Sequence, residues 1–175
     1  MKILGIDPGL AATGIGIVTG RGFDIQGCSY GSVNTASDLP QAERLARIYV
    51  RIHQVLQDES PDLMILEDVF SLDKYPKSGI VLGKVCGVIL LAGHQQAVPL
   101  AEIPVREAKQ VLTGNGNADK KQVEAAVRQM LKLKDPIRPF HASDALALAI
   151  IGLLRNELPG GRARIPSGGC KRGIP

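Results

Sequence analysis

The order in which apolar periodicities arrive along this chain constrains its fold more than any other feature. Three strand-like runs come first, at residues 2–7, 13–19 and 23–33, separated by the turn formers Pro8-Gly9 and Gly20-Arg21-Gly22. Turns this short between consecutive strands imply an antiparallel meander. Apolar positions then recur at helical spacing through Leu45, Ile48, Ile52, Val55 and Leu56, until Ser60-Pro61 ends the helix. A strand follows at 63–67, a helix rich in small residues at 78–96 and a strand near 98–103. Helices are expected around 105–112, 120–133 and 141–157. A meander followed by alternating helix and strand predicts an α/β domain, a mixed five-stranded sheet with helices on both faces.

Two of these strands end on an acid. Ile3-Leu4-Gly5-Ile6 delivers Asp7 at a Pro-Gly turn, and Leu63-Met64-Ile65-Leu66 delivers Glu67. Pro8 biases Asp7 toward extended backbone, so its side chain is held on a rigid strand end. A third acid, Asp144, lies three residues after His141 at the start of an apolar helix, which puts both on one helix face. Each residue has a plainer reading alone: a turn aspartate, an edge carboxylate, a helix-dipole partner, a core histidine. Taken together they define a constellation. If the first strand is central and beside the Glu67 strand, and the last helix packs at that end, the three carboxylates and His141 converge. Hard oxygen donors select Mg²⁺ or Mn²⁺, and two such ions about 4 Å apart can activate water and stabilise the leaving oxygen of a phosphodiester. His141 can then be a ligand or a proton donor to the leaving oxygen; the residues leave both open.

The landmarks Gly5-Ile6-Asp7-Pro8-Gly9 with Thr13-Gly14, Glu67-Asp68-Val69-Phe70, Thr113-Gly114-Asn115-Gly116-Asn117-Ala118-Asp119-Lys120 and His141-Ala142-Ser143-Asp144-Ala145-Leu146-Ala147 stand in the order and spacing of one family. Through them nearly the whole chain resembles the RuvC family of bacterial Holliday-junction endonucleases, within the RNase H-like superfamily. The resemblance implies a catalytic, metal-binding quartet of Asp7, Glu67, His141 and Asp144. Members carry either Asp or His at the position of His141. It further implies that Lys109, Lys120 and Phe70 contact DNA, with Phe70 stacking at the junction. Products with 5′ phosphate and 3′ hydroxyl ends, a homodimer and the branch-migration partners RuvA and RuvB are implied as well.

The remaining features bear on partners. Asp119 and Gln122 have capping-box spacing, whereas Lys120 and Lys121 oppose the helix dipole unless an anion shares that end. Thr113-Gly114-Asn115-Gly116 lacks the G-x-x-x-x-G-K-[ST] pattern of a nucleotide-binding P-loop and reads as a flexible connection able to approach DNA. Tyr75 lies near Phe70 without motif support. Gly79, Gly83 and Gly87 recur every four residues, a smooth stripe fit for close packing on the chain's own sheet or on a second copy. Resolving a four-way junction takes two symmetric nicks, which a twofold dimer supplies.

A net charge of +4 raises the expectation of a polyanionic partner only slightly. Cys28, Cys86 and Cys170 are odd in number and widely spaced, which disfavours a disulfide framework or structural zinc and fits a cytoplasmic protein. The apolar run 85–92 is too short to span a bilayer, so no membrane association is expected. Residues 1–157 form the expected nuclease domain. Residues 158–175 form a tail with four basic residues, Arg162, Arg164, Lys171 and Arg172, and no acid, expected to be disordered. Two alternatives remain: a junction-binding protein with a degenerate site, and a fragment of an actin-like sugar or acetate kinase, whose phosphate loop also uses Asp-x-Gly and Thr-Gly. The kinase would need a second lobe that this length does not provide.

Overall fold

The computed structural model describes residues 1–68, 76–155 and 171–172. Its sheet contains β1 (Lys2–Asp7), β2 (Ala12–Arg21), β3 (Asp24–Asn34), β4 (Leu63–Asp68) and β5 (Leu100–Pro104). Two tail residues, Lys171–Arg172, add a short β6 beside Ser29 and Tyr30 of β3. The remainder of the expected tail, like Phe70 and Tyr75, lies outside the described residues. The helices are α1 (Gln41–Glu59), α2 (Pro76–Gln95), α3 (Val105–Thr113), α4 (Lys120–Met130) and α5 (Phe140–Arg155). Strand order is β5-β4-β1-β2-β3-β6, with β1 antiparallel to β2 and parallel to β4. The first strand is therefore central and neighbours the strand carrying Glu67.

Strand alternation sorts side chains onto two cores. Leu4, Ile6, Ile15, Ile17, Met64 and Leu66 face α1 and α2, whereas Ile3, Val18 and Ile65 face α4 and α5. The same period of two assigns Gly5, Asp7, Gly14, Gly16 and Glu67 to the α5 face. There the glycines let α5 lie against bare strand backbone. A Cβ on Gly5 would stand 2.1 Å from the Ala145 carbonyl oxygen, one on Gly14 2.0 Å from that of His141, and one on Gly16 2.5 Å from the Leu146 nitrogen. An isolated glycine within a strand often marks such a close backbone approach. This contact delivers the start of α5 to the end of β1.

Several local expectations meet a more ordered chain. Gly114 closes α3 in the left-handed conformation, and the Asn115 side chain accepts the Asn117 N–H at 2.9 Å. Gln110 accepts the Gly116 N–H at 2.9 Å while its amide donates to the Gly114 carbonyl at 2.9 Å. The loop expected to be a flexible connection is thus closed on itself by side-chain hydrogen bonds. The capping box at Asp119 and Gln122 is present.

The cysteine expectation also needs correction. Among the described residues Cys28 is disulfide-bonded and Cys86 is free. An odd cysteine count excludes full pairing but not a single bridge.

Helix α2 contains 19 residues, Lys77–Gln95, long and apolar enough by composition to cross a bilayer. One of its faces, Val85, Cys86, Ile89 and Ala92, is buried in the core with α1 and the sheet. The glycine stripe lies elsewhere on the helix: a Cβ on Gly79, Gly83 or Gly87 would meet none of the described residues within 4 Å. Close packing of the stripe on the chain's own sheet is therefore ruled out. Ile80, Leu90 and Leu91 of the same helix are exposed.

Candidate active site

The turn after β1 is rigid because Thr13, fully buried, donates its hydroxyl to the Gly9 carbonyl at 2.7 Å. Asp7 sits opposite Gly14 in the β1–β2 ladder and is only 8% exposed. With no Cβ on Gly14, the first turn of α5 comes down over this pair, and His141 Nδ1 donates to Asp7 Oδ2 at 2.6 Å. An ionised carboxylate can only accept, so the proton lies on Nδ1 and Nε2 is the ring atom left for other chemistry. One turn along the helix, Asp144 joins the group.

Glu67 reaches the site from β4, where Ile6 is in register with Leu66. Burial pushes its carboxyl up to about 8, assisted by a hydrogen bond with Asp7 and by the charges of Asp7 and Asp144, with Lys109 opposing. Asp144 is pushed up to about 6, first by burial and then by Asp7, against Lys120, His141 and Lys109. The hydrogen bond to Asp7 holds His141 above the ordinary imidazole value despite some desolvation. Three carboxylates crowded at one end of a sheet resist ionising together, and a nearby cation relieves that repulsion.

The structure thus brings together Asp7, Glu67, His141 and Asp144. Lys109 and Lys120 belong to the same electrostatic neighbourhood. Glu67, Lys109 and Asp144 also line one cleft with Val105, Ala108 and Val123. Phe70 lies outside the described residues.

The donor set of three carboxylates and an imidazole fits a hard divalent cation by its chemistry. As the side chains stand, no three His, Cys, Asp or Glu among the described residues form a preassembled metal cage. Asp7 is instead engaged with His141 and Glu67, and would exchange those bonds for an ion.

Sequence reasoning passed over Glu124, which is 6% exposed on α4 and accepts the Ile137 N–H at 2.9 Å. It fastens the segment that leads into His141. A lone acid amid the apolar positions Val123 and Val127 was the available signal. Gly5, Gly14 and Gly16 were likewise legible as glycines inside strand patterns.

A mixed sheet whose central strand ends in a buried acid, with further acids converging from a neighbouring strand and an overlying helix, defines the class: an RNase H-like domain with a carboxylate site. Residues 3–152 match the family model described as crossover junction endodeoxyribonuclease RuvC, and the chain belongs to that family. It is 37% identical over 150 residues to the crossover junction endodeoxyribonuclease RuvC of Brevibacillus brevis, covering 86% of this chain and 90% of that protein. It is 40% identical over 149 residues to the protein of the same name from Thermotoga petrophila, covering 85% and 90%. Among solved structures, Thermus thermophilus RuvC in complex with a Holliday junction substrate superposes with a TM-score of 0.75 at 30% identity, covering 86% of this chain and 91% of that one. The actin-like kinase alternative falls with this membership.

Proposed function

We propose that this chain is a structure-selective endonuclease that resolves Holliday junctions in DNA recombination and repair, by symmetric metal-dependent hydrolysis of phosphodiester bonds. The observation that carries the reading is the convergence of Asp7, Glu67, Asp144 and His141 at one end of the sheet, in a family whose named members are junction endonucleases. In this reading Asp7, Glu67 and Asp144, with His141, hold Mg²⁺ or Mn²⁺, two ions per site. When bound, the metal activates water and neutralises charge on the phosphate. The protein's own groups do the rest. Lys109 and Lys120 hold phosphates near the scissile bond, and Phe70 stacks on an unpaired base. The Asp7 bond orients the His141 ring so that Nε2 is the atom offered to the ion. The products have 5′ phosphate and 3′ hydroxyl ends.

The working unit is a homodimer in this proposal. Support comes from α2, where Ile80 is 62% and Leu91 49% exposed beside glycines that none of the described residues covers. An apolar face of this kind on a soluble domain favours a protein partner, and a second copy provides the second nick. RuvA and RuvB are the proposed branch-migration partners and the cytoplasm the proposed compartment. Residues 1–157 serve as the nuclease domain and 158–175 as a basic tail.

Incubating end-labelled four-way junctions and linear duplexes of the same sequence with the wild-type protein and Mg²⁺ or Mn²⁺ tests the reading. Paired nicks across the junction, with ligatable ends and little duplex cleavage, are expected. Junction binding without cleavage in either metal would select the degenerate-site alternative.

A further inference from the structure

The segment 137–140, which leads into α5, presents an arginine in a restrained position. Its backbone is fastened at one end by the Ile137 N–H donating to the buried Glu124 carboxylate at 2.9 Å. At the other, the Ala142 N–H donates to the Pro139 carbonyl at 3.0 Å. The Arg138 guanidinium carbon lies 4.3 Å from the centroid of the Phe140 ring, and Nη1 donates to the Ile137 carbonyl at 2.8 Å. Arg138 is nonetheless exposed, and among the described residues it makes no ion pair with a carboxylate.

An exposed arginine ordinarily samples many rotamers, and ordering it for an anion costs that freedom at the moment of binding. Stacking and the bond to Ile137 remove much of that cost in advance. A guanidinium stacked on a ring keeps its N–H donors in its own plane, and those not used by Ile137 remain to engage a phosphate in two parallel bonds. Position supplies the ligand. Arg138 is three residues before His141, so the two Cα atoms are within roughly 11 Å. Phosphates of a strand held at the acidic site pass within reach of a side chain of this length.

We propose that Arg138 is a phosphate-binding residue of the DNA interface, taking a backbone phosphate that flanks the scissile position. The proposal rests on the nuclease reading above. It competes with a role in which Arg138 only covers the Phe140 ring.

Arg138→Met keeps the length and the apolar cover and removes the charge, whereas Arg138→Lys restores charge without the planar fork. Binding of a fluorescent four-way junction is measured by anisotropy in EDTA, at salt between about 50 and 200 mM. The expected result for Arg138→Met is about five- to tenfold weaker binding at the low-salt end, with the slope of log affinity against log salt smaller by about 1. The thermal midpoint should stay at the wild-type value, and Arg138→Lys should recover the slope but only part of the affinity. Wild-type affinity and slope in Arg138→Met overturn the proposal, and so does weaker binding with an unchanged slope. If the wild type itself binds no junction, the nuclease reading fails and this proposal falls with it. If the wild type binds and Arg138→Met equals it, only this proposal fails.

Discussion

His141 donates its Nδ1 proton to Asp7 Oδ2 at 2.6 Å across 134 residues of sequence. That bond depends on a third position, Gly14, which faces Asp7 in the ladder and touches the His141 backbone from below. One strand end, one missing side chain and one helix start therefore form a unit, and most tests of the site follow from it.

Proton binding at the site should make the metal-free protein less stable as pH rises. Glu67 is raised from 4.5 to about 8 and Asp144 from 3.8 to about 6, so between those limits the folded state binds more protons than the unfolded state. The slope of stability with pH is then negative. His141, also raised, adds stability that is complete below its unfolded value of 6.5 and is lost as pH climbs through its folded value. All three groups act in the same direction. Thermal unfolding in EDTA should show a midpoint at least about 3 °C lower at pH 8.5 than at pH 5. Glu67→Gln should flatten the curve, and a midpoint that rises over this range would refute the assignment.

Gly14→Ala should separate the helix from the strand. The new Cβ would stand 2.0 Å from the His141 carbonyl oxygen, with backbone on both sides and no flexible side chain to move away. A loss of about 2–3 kcal/mol in urea unfolding is expected, together with loss of cleavage. Gly83→Ala, placed where none of the described residues lies within 4 Å, is the control and should cost nothing in monomer stability.

Glu124→Ala should destabilise the protein by about 2–3 kcal/mol, because it strands the Ile137 N–H and removes the partner of Arg128. Glu124→Gln keeps an acceptor for Ile137 and should recover about half of that loss. Equal losses for the two variants in denaturant titrations would show that the Ile137 bond is not the main contribution.

Much of this was legible in the residue order. Apolar runs ending in Asp7 and Glu67 announced both strand-borne acids, and the spacing of His141 and Asp144 announced their shared helix face. What escaped was information carried by absent or mutually bonded atoms. Gly5, Gly14 and Gly16 matter because a helix backbone occupies the space of their missing side chains, and a strand pattern does not reveal what lies above it. The 113–117 loop reads as flexible by composition, yet Gln110 and Asn115 satisfy its backbone. Such pairings depend on local geometry that residue types alone leave open. The bridge at Cys28 was missed because odd cysteine arithmetic speaks to frameworks, not to single bonds.

Gly83→Leu tests the second copy on α2. Replacing glycine within a helix should raise monomer stability by about 0.5–1 kcal/mol, while the added bulk on the open face should weaken association. Sedimentation velocity over a concentration series should show a shift toward monomer, with cleavage lost at dilutions where the wild type remains active. Unchanged association would remove α2 from the interface.

Asp7→Asn gives the most direct test of the acidic centre. The substitution is nearly isosteric, keeps an acceptor for His141 Nδ1 and removes the charge that couples Glu67, Asp144 and His141. With a labelled four-way junction and saturating Mg²⁺ or Mn²⁺, cleavage should fall by at least about 10³-fold while junction affinity in EDTA stays within about threefold of wild type. Cleavage by Asp7→Asn at the wild-type rate would contradict the account.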